Sequence, residues 1–339
     1  MSIAVALYQH SHAFDALADE WRALLRRSVS DTLFLTPTYK RVWWRHLGEG
    51  DLLLLTARED GDLVGIAPLF IAERASEGRV LHTVGCVEVS DYLDWIAASG
   101  REEEVLGALL DFLGGPEAPP WDRMDLCNIH QDSPTLRFLP PLAEARGWGV
   151  ETEVQEVCPV VNLPETWEEY LASLRGKDRH ELRRKMRRAE AMEGLRWYIA
   201  GPEDDLEARV EDFLDLMAKS SPQKAAFLTP AMRAFFRDLA RAIFDAGWLQ
   251  LAFLEVRGRK LASYFNFVYN NRVLVYNSGL DWEAYPQLGA GIVLTGLLIR
   301  NAIEEGREAY DFLRGDEPYK YRFGGRDVTV HRILVRREG

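Results

Sequence analysis

The sequence predicts an α/β protein with mixed sheets, organised as two tandem domains. The first observation is the length of 339 residues, which favours two domains at roughly 150 residues each. The second is an order of elements that occurs twice: helices, an antiparallel strand meander, a helix and a further strand. An order of this kind typically gives mixed sheets with helices on both faces.

The N-terminal half carries the first copy of this order. Apolar runs separated by turn residues predict a meander, and a helical pattern and one more strand follow it. The strands are expected at 51–57, 63–72, 80–89 and 123–129, and the helices at 14–27, 39–47 and 102–113.

The C-terminal half carries the second copy. The strands are expected at 249–256, 261–268, 273–278 and 309–313, and the helices at 167–191, 206–220, 230–246 and 290–304. A helix at 136–146 and a strand at 150–161 lead into this half, so the boundary is expected between Ala143 and Thr166. The predicted domains are residues 1–155 and 156–339.

Composition and charge exclude several classes of protein. With 47% hydrophobic and 28% charged residues, the chain is expected to fold. The longest apolar stretch, at 289–299, is too short for a membrane span. A net charge of −12 disfavours binding of DNA or of an anionic membrane by the whole surface.

Localisation follows from two further features. No basic region precedes the short apolar run at the N-terminus, so no signal peptide is expected. Cys86, Cys127 and Cys158 are odd in number and far apart, which argues against a disulfide framework and against a zinc site. The sequence therefore predicts a cytoplasmic protein without a metal site.

A basic segment interrupts this acidic chain. Residues 173–188 contain eight basic and two acidic side chains, a local charge of +6. Apolar residues at helical spacing indicate that one face of this helix is buried and that its arginines are solvated. The alternative is that Arg175, Lys177 and Arg179 bind an anionic acceptor, such as a nucleotide-sugar or a phosphorylated glycan precursor. A tRNA end is a further possibility that the net charge disfavours.

A small-residue loop precedes the helix expected at 290–304. Common nucleophile, metal and P-loop signatures are missing from the sequence. The loop offers Gln287, Gly289, Ala290 and Gly291, whose backbone N–H groups can approach a pyrophosphate at the helix N-terminus. The alternative is a turn that only allows close packing of helix and strand.

A second candidate segment spans residues 310–325. It begins on a strand and continues into a loop rich in charge and aromatics, where Arg314, Asp316, Glu317 and Lys320 occur within seven residues of one another. The alternative is a salt-bridged surface loop.

Several of these features together resemble the GNAT acyltransferase superfamily. The tandem plan, the glycine loop and the run from Tyr310 to Gly324 are similar to its CelD-like branch and to the related Fem peptidoglycan aminoacyltransferases, which have two GNAT-like domains. Three further segments agree: the aromatic segment 34–48, Ser-Asp-Tyr at 90–92, and the basic helix 174–188. The chain departs from the family at Pro286, where the pyrophosphate loop usually begins with Arg or Gln.

The resemblance implies roles for individual residues. Lys320 matches a lysine that Fem-type enzymes place near the reacting carbonyl, so it is expected to stabilise the oxyanion. Asp311, Asp316 and Glu317 are candidates for the base or for binding the substrate amine, and the alternative for Asp311 is a structural role, since it is close to core residues. Asp91, Tyr92 and Arg314 are expected to contact substrate. The N-terminal domain has no glycine loop before Glu102 and is expected to hold no cofactor.

The leading prediction is an N-acyltransferase that uses acyl-CoA, such as acetyl-CoA, and an amine acceptor from cell-envelope or polysaccharide synthesis. The envelope assignment comes from the resemblance alone. Two alternatives remain: a Fem-type aminoacyltransferase that uses aminoacyl-tRNA, and a noncatalytic binding module on a GNAT scaffold. The last is favoured if Lys320 and Asp316 pair with each other away from any cleft.

Overall fold

The computed structural model describes residues 3–86 and 89–337 and divides into two units. Unit 1 extends to Val157 and also includes the residues from Val328 onward. Unit 2 comprises Cys158–Asp327. The sequence analysis assigns all residues after 155 to the second domain, so the last segment of the chain departs from that expectation.

Unit 1 contains a mixed sheet and several helices. Its helices, besides a 3₁₀ turn at Leu33–Leu35, are α1 (Ala13–Ala16), α2 (Ala18–Leu25), α3 (Pro37–Leu47), α4 (Glu102–Gly114) and α5 (Pro134–Glu144). Its strands are β1 (Ala4–Tyr8), β2 (Asp51–Glu59), β3 (Asp62–Arg74), β4 (Gly78–Thr83), β5 (Ile96–Ala97), β6 (Arg123–His130), the first part of β7 (Trp148–Asn162) and β13 (Arg326–Arg337).

Unit 2 contains the second copy of the same plan. Its helices are α6 (Trp167–Ser173), α7 (Gly176–Glu190), α8 (Leu206–Ser220), α9 (Pro222–Phe227), α10 (Pro230–Asp245), α11 (Ala290–Glu304) and α12 (Pro318–Arg322). Its strands are β8 (Leu195–Ile199), β9 (Leu249–Val256), β10 (Arg259–Tyr269), β11 (Arg272–Leu280), β12 (Ala309–Asp311) and the end of β7.

The strand orders confirm the tandem architecture. In unit 1 the order is β1-β2-β3-β4-β6-β13, and in unit 2 it is β8-β9-β10-β11-β12-β7. In each unit the meander is antiparallel, and the strand that follows the helix pairs in parallel with the last meander strand, β6 with β4 and β12 with β11. The sixth strand is antiparallel in both units.

The sixth strand explains the difference at the C-terminus. Residues 330–336 of β13 pair with β6, and Val330, Ile333 and Val335 are fully buried. The equivalent partner of β12 is the end of β7, which comes earlier in the chain. Pairing between distant segments leaves no local trace in the sequence, so the expected range 156–339 includes a strand that belongs to unit 1.

Several predicted elements differ locally. The helix expected at 14–27 is divided into α1 and α2, and the strand expected at 309–313 ends at Asp311. The helix expected at 167–191 is two helices, because Leu174 and Arg175 have extended backbone between α6 and α7. The strand expected at 80–89 ends at Thr83, and the last part of that prediction includes residues 87 and 88, which lie outside the described residues.

Helix starts follow a repeated local signal. Four helices begin with Ser or Thr followed by Pro, and in each the hydroxyl accepts a hydrogen bond from the backbone N–H three residues later. The proline suits the first helical position because its missing N–H has no helical partner there. The capping residues are Thr36, Ser133, Ser221 and Thr229.

The cysteines differ from expectation. Cys86 and Cys127 form a disulfide with a Cα–Cα distance of 5.8 Å, while Cys158 is a buried thiol outside this disulfide. The two are 41 positions apart in sequence. The parallel pairing of β4 with β6 brings their neighbourhoods together. The prediction against disulfides, which was based on the separation of the cysteines in the sequence, is therefore wrong for this pair.

Two searches of the described residues gave no positive result. Within 3–86 and 89–337, no helix is both long enough and apolar enough to cross a membrane. Over the same residues, no three His, Cys, Asp or Glu side chains are grouped as metal ligands would be.

A lysine is fully buried in unit 1. Lys40 on α3 has no solvent-exposed surface, and its ammonium donates a hydrogen bond to the Val84 carbonyl. Burial disfavours the charged form and holds the pKa of Lys40 well below its ordinary value. Between that native pKa and the unfolded value of about 10.4, the unfolded chain binds more protons than the native one. The free energy of unfolding therefore rises with pH across this window.

We expect the variant Lys40→Met to lose this pH dependence. In urea unfolding from pH 7 to pH 10, the wild type should gain stability relative to Lys40→Met by up to about 1.4 kcal/mol per pH unit, the limit for one proton. Lys219→Met, at an exposed lysine on α8, is the control and should follow the wild type. Parallel curves for wild type and Lys40→Met would show that Lys40 titrates normally.

Candidate active site

The candidate site begins where β11 and β12 separate. Their parallel pairing covers only 272–274 with 309–311, whereas β11 continues to Leu280. On its other side β11 has a bulge: Phe265 pairs with Asn277 but Asn266 pairs with Val275, so Tyr276 is the extra residue. A bulge redirects the side chains beyond it. The end of β11 is thus open along the edge that faces away from β10.

The loop after β12 folds back on one amine. Leu313 has a φ of +53°, an unusual value for a residue with a bulky side chain, and Gly315 has a φ of +112°. Asp311 accepts a hydrogen bond from the Leu313 N–H at 2.8 Å. The carbonyls of Leu313, Arg314 and Gly315 lie 3.1, 2.6 and 3.0 Å from Lys320 Nζ.

Lys320 is therefore more constrained than the sequence indicated. Its side chain is only 3% exposed, and Glu317 Oε2 lies 2.9 Å from Nζ. An ammonium has three N–H donors, and here four oxygens surround them. Lys320 contacts a substrate oxygen only if that oxygen replaces one of these four. Its predicted catalytic role stays a prediction, and its role in holding the loop is directly visible.

Asp316 lies at a neighbouring cavity. This cavity, of about 510 Å³, is lined by Arg175 and Lys177 from the start of the basic helix and by Asp316, Tyr321 and Arg322, together with Asp178 and Pro318. The carboxylates of Asp327, Asp316 and Glu317 help raise the pKa of Tyr321 to about 12. The structure thus places Asp316, predicted as a base or amine ligand, beside Arg175 and Lys177, which were predicted to bind an anion.

Arg179 is not part of this cavity. It lines a different cleft, on the face of α7 that lies beside α6 and α11. Arg175 is the N-cap of α7 and has non-helical backbone, so its side chain does not follow the helical stripe on which Arg179 and Arg183 lie. The three basic residues expected at one anion site are therefore divided between two.

The glycine loop has cations beside it that the sequence analysis missed. Gly289 is the N-cap of α11 with a φ of +68°, and a Cβ at this position would collide with the Lys185 ammonium. Arg188 donates a hydrogen bond to the Gln287 carbonyl at 2.6 Å. The left-handed backbone conformation accounts for glycine at 289, since the flexible Lys185 side chain could move away from a Cβ. Gly291 packs on Leu280, where a Cβ would lie 3.1 Å from a methyl group.

Buried hydroxyls fix the start of α11 to the sheet. The hydroxyls of Tyr264 and Thr295 lie 2.8 Å apart, and Thr295 donates a hydrogen bond to the Gly291 carbonyl at 2.8 Å. Burial raises the pKa of Tyr264, so its hydroxyl stays neutral. The start of α11 is therefore held against β10.

Lys224 is a site residue with no counterpart in the sequence analysis. Its Nζ donates hydrogen bonds to the Ser278 carbonyl at 2.6 Å and the Asn277 side-chain oxygen at 3.1 Å, and Ser278 Oγ lies at 3.4 Å. Burial lowers the pKa of Lys224 to about 8, and the negative charge of Glu317 partly opposes this shift. The sequence signal that could have indicated its position is the Ser221-Pro222 helix start, which fixes Lys224 at the third helical position.

The two residues expected from unit 1 are largely buried. Asp91 is 6% and Tyr92 5% exposed, and Tyr92 has a φ of +48°. The Tyr92 carbonyl accepts a hydrogen bond from the Thr32 hydroxyl at 3.0 Å, and the Tyr92 ring packs edge-on against the His130 ring. These contacts fix the Ser-Asp-Tyr segment inside unit 1, and its expected contact with substrate stays a prediction.

Comparisons with known proteins agree with this geometry. Residues 176–321 match the model of the acetyltransferase (GNAT) domain family. No curated protein matches the sequence.

Solved structures with similar folds cover nearly the whole chain. The crystal structure of FemX has a TM-score of 0.67 at 12% identity, covering 98% of this chain and 97% of its own. The C-terminal domain of a putative lysylphosphatidylglycerol synthetase from Agrobacterium fabrum gives 0.57 at 11% identity, covering 95% and 92%. A tandem GNAT protein from the clavulanic acid biosynthesis pathway gives 0.53 at 10% identity, with complete coverage of both chains.

The family match lies in unit 2 and includes the basic helix, the glycine loop and Lys320, while the fold similarity extends over both units. Residues 176–321 therefore match a GNAT acetyltransferase domain, and the chain as a whole has a fold similar to those of FemX and of the tandem GNAT protein.

Proposed function

We propose that the protein is an N-acyltransferase that transfers an acyl group from acyl-CoA to an amine. The observation that carries this proposal is the start of α11, where a helix N-terminus opened by Gly289 lies beside Lys185 and Arg188. A helix N-terminus with free N–H groups attracts anions, and two nearby cations strengthen that attraction. This arrangement fits the pyrophosphate of a coenzyme A donor.

The acceptor is assigned to the cavity lined by Arg175, Lys177 and Arg322. Its cations favour an acceptor that carries an anionic group, and Asp316 at its rim suits an ammonium. An amino sugar phosphate or a nucleotide-linked amino sugar has both groups. Synthesis of the cell envelope uses acceptors of this class, which is why we retain it as the proposed context.

The chemistry joins the acceptor nitrogen to the acyl carbon. The amine attacks the thioester carbonyl, the C–N bond forms, the C–S bond breaks, and the thiolate takes up a proton. The acceptor ammonium must first lose a proton, and Lys224 is suited to receive it because an amine with a pKa of about 8 is partly neutral near physiological pH. The developing oxyanion is assigned to Lys320, in place of one of its present carbonyl contacts.

The noncatalytic alternative predicts a different arrangement. It expects Lys320 and Asp316 to pair with each other away from any cleft. Lys320 instead pairs with Glu317, and Asp316 lines the cavity beside Arg175 and Lys177. This supports a site that binds substrate along the 314–322 segment.

The proposal is tested by incubating the protein with acetyl-CoA and a panel of amines, including amino sugars with and without phosphate. Release of free thiol that depends on both substrates supports it. Aminoacyl-tRNA serves as the competing donor. Transfer from aminoacyl-tRNA without transfer from any acyl-CoA would replace this proposal with the Fem-type activity.

Lys185→Met tests the donor site. Loss of one cation beside the pyrophosphate should raise the KM for the acyl-CoA donor about tenfold, the equivalent of about 1.4 kcal/mol, and leave kcat nearly unchanged. Arg184→Met is the matched control, since Arg184 is on the same helix and pairs with Glu181 at 2.8 Å. Equal KM values for both variants and the wild type would show that the donor does not bind at this loop.

Lys224→Arg tests the proton acceptor. The arginine keeps a cation near Ser278 but stays protonated, so kcat should fall at least about 100-fold. In the wild type, kcat should rise with pH and level off above about 8, because only the neutral amine accepts a proton. That rise should be absent from the variant. Lys219→Arg is the control, and a Lys224→Arg enzyme with normal turnover and the same pH profile would contradict the assignment.

Lys320→Met tests the oxyanion role. A cation at a developing oxyanion contributes about 3 kcal/mol, so turnover should fall roughly 100- to 1000-fold. Glu317→Gln breaks the ion pair but keeps the ammonium, and it should retain most of the activity. Circular dichroism and thermal unfolding establish that both variants fold. If Lys320→Met is folded and has near-normal turnover, Lys320 serves only to hold the loop.

A further inference from the structure

A second basic cleft lies in unit 2, apart from the proposed donor and acceptor sites. It has a volume of about 630 Å³ and lies among α6, α7 and α11. Three arginines of α7 and one of α11 line it, with Glu168 and Glu190 also present. The arginines are Arg179, Arg183, Arg187 and Arg300. Its volume is within the range of small-molecule sites.

The α7 arginines of this cleft lack acidic partners. Within the described parts of the chain, Arg179, Arg183 and Arg187 form no ion pair. Arg179 donates a hydrogen bond to the Ala172 carbonyl, and Arg187 donates one to the Arg183 carbonyl. The helix has an acid nearby, but Glu181 pairs with Arg184 and Lys185 on another face.

The spacing of these arginines is unfavourable without a ligand. Residues four apart lie on one helix face, about 6 Å apart along the axis. Like charges at this spacing destabilise a helix by roughly 0.2–0.5 kcal/mol per pair. An oxyanion shared between neighbouring guanidinium groups removes this repulsion and forms charge-assisted hydrogen bonds.

The cleft also has an apolar and aromatic side. Leu171 and Met186 are buried beneath it, and the half-buried Trp167 lies at its wall. The Trp167 ring is stacked on Tyr170 at a centroid distance of 5.1 Å, which fixes its orientation. A fixed indole next to guanidinium groups suits a ligand that has a flat ring as well as phosphates.

We propose that this cleft binds a nucleoside diphosphate, with its phosphates on Arg183 and Arg187 and its base against Trp167. The size of the cleft favours a small ligand. The net charge of −12 disfavours an extended nucleic acid. The site is independent of the donor loop, where Lys185 and Arg188 lie.

Calorimetric titration with ADP and UDP tests the proposal. Both nucleotides should bind saturably, and the double variant Arg183→Gln/Arg187→Gln should weaken binding at least tenfold. Arg184→Gln, the control on the other face of α7, should change it less than twofold. Trp167→Leu should weaken the binding of ADP and UDP but leave the binding of inorganic pyrophosphate unchanged.

A further variant distinguishes binding in the arginine cleft from binding at the donor loop. ADP is also part of coenzyme A, so ADP bound at the proposed donor site should bind about tenfold more weakly to Lys185→Met, whereas binding in the arginine cleft should be unchanged in that variant. The proposal is overturned if ADP and UDP do not bind at millimolar concentration, or if the double variant binds them normally. Tighter binding of a 20-nucleotide RNA, with a steep salt dependence, would replace it with a nucleic-acid surface.

Discussion

The short parallel pairing between β11 and β12 is the constraint on which the candidate site depends. Because the two strands pair over only three residues each, the end of β11 lies open and the chain after Asp311 must turn. The turn directs the carbonyls of residues 313–315 toward one point. Three carbonyl dipoles that converge in a buried place require a cation, and Lys320 supplies it. The loop, its charge and the opening beside β11 thus have one cause.

Three buried or half-buried lysines illustrate how surroundings decide the behaviour of one side-chain type. Lys320 is surrounded by carbonyls and Glu317, so its charge is compensated. Lys40 donates a hydrogen bond to the Val84 carbonyl, and burial holds its pKa well below the ordinary value. Lys224 has several acceptors, yet burial still brings its pKa to about 8. Of these three lysines, only Lys224 has a pKa near physiological pH and also lies beside the open end of β11. These two properties make it suitable for proton transfer.

The start of α11 shows how one glycine serves both folding and binding. Gly289 adopts a left-handed backbone conformation and leaves room for the Lys185 ammonium. The same absence of a side chain exposes the first N–H groups of the helix. Substitution of Gly289 would therefore disturb the fold as well as any anion site, and the cations are the better positions to alter. Arg188, which holds the Gln287 carbonyl, links the basic helix to this loop.

The sequence by itself determined the local elements and their repetition. The meanders, α4, α11 and the strand after each helix follow from periodicity and turn residues, and the glycine loop and the charged segment after β12 mark the candidate site. The sequence could not determine that β13 pairs with β6, that Cys86 meets Cys127, or that Lys185 and Lys224 lie at the candidate site. Each of these depends on contact between segments distant along the chain, and only the packing of the folded sheet and helices decides such contacts.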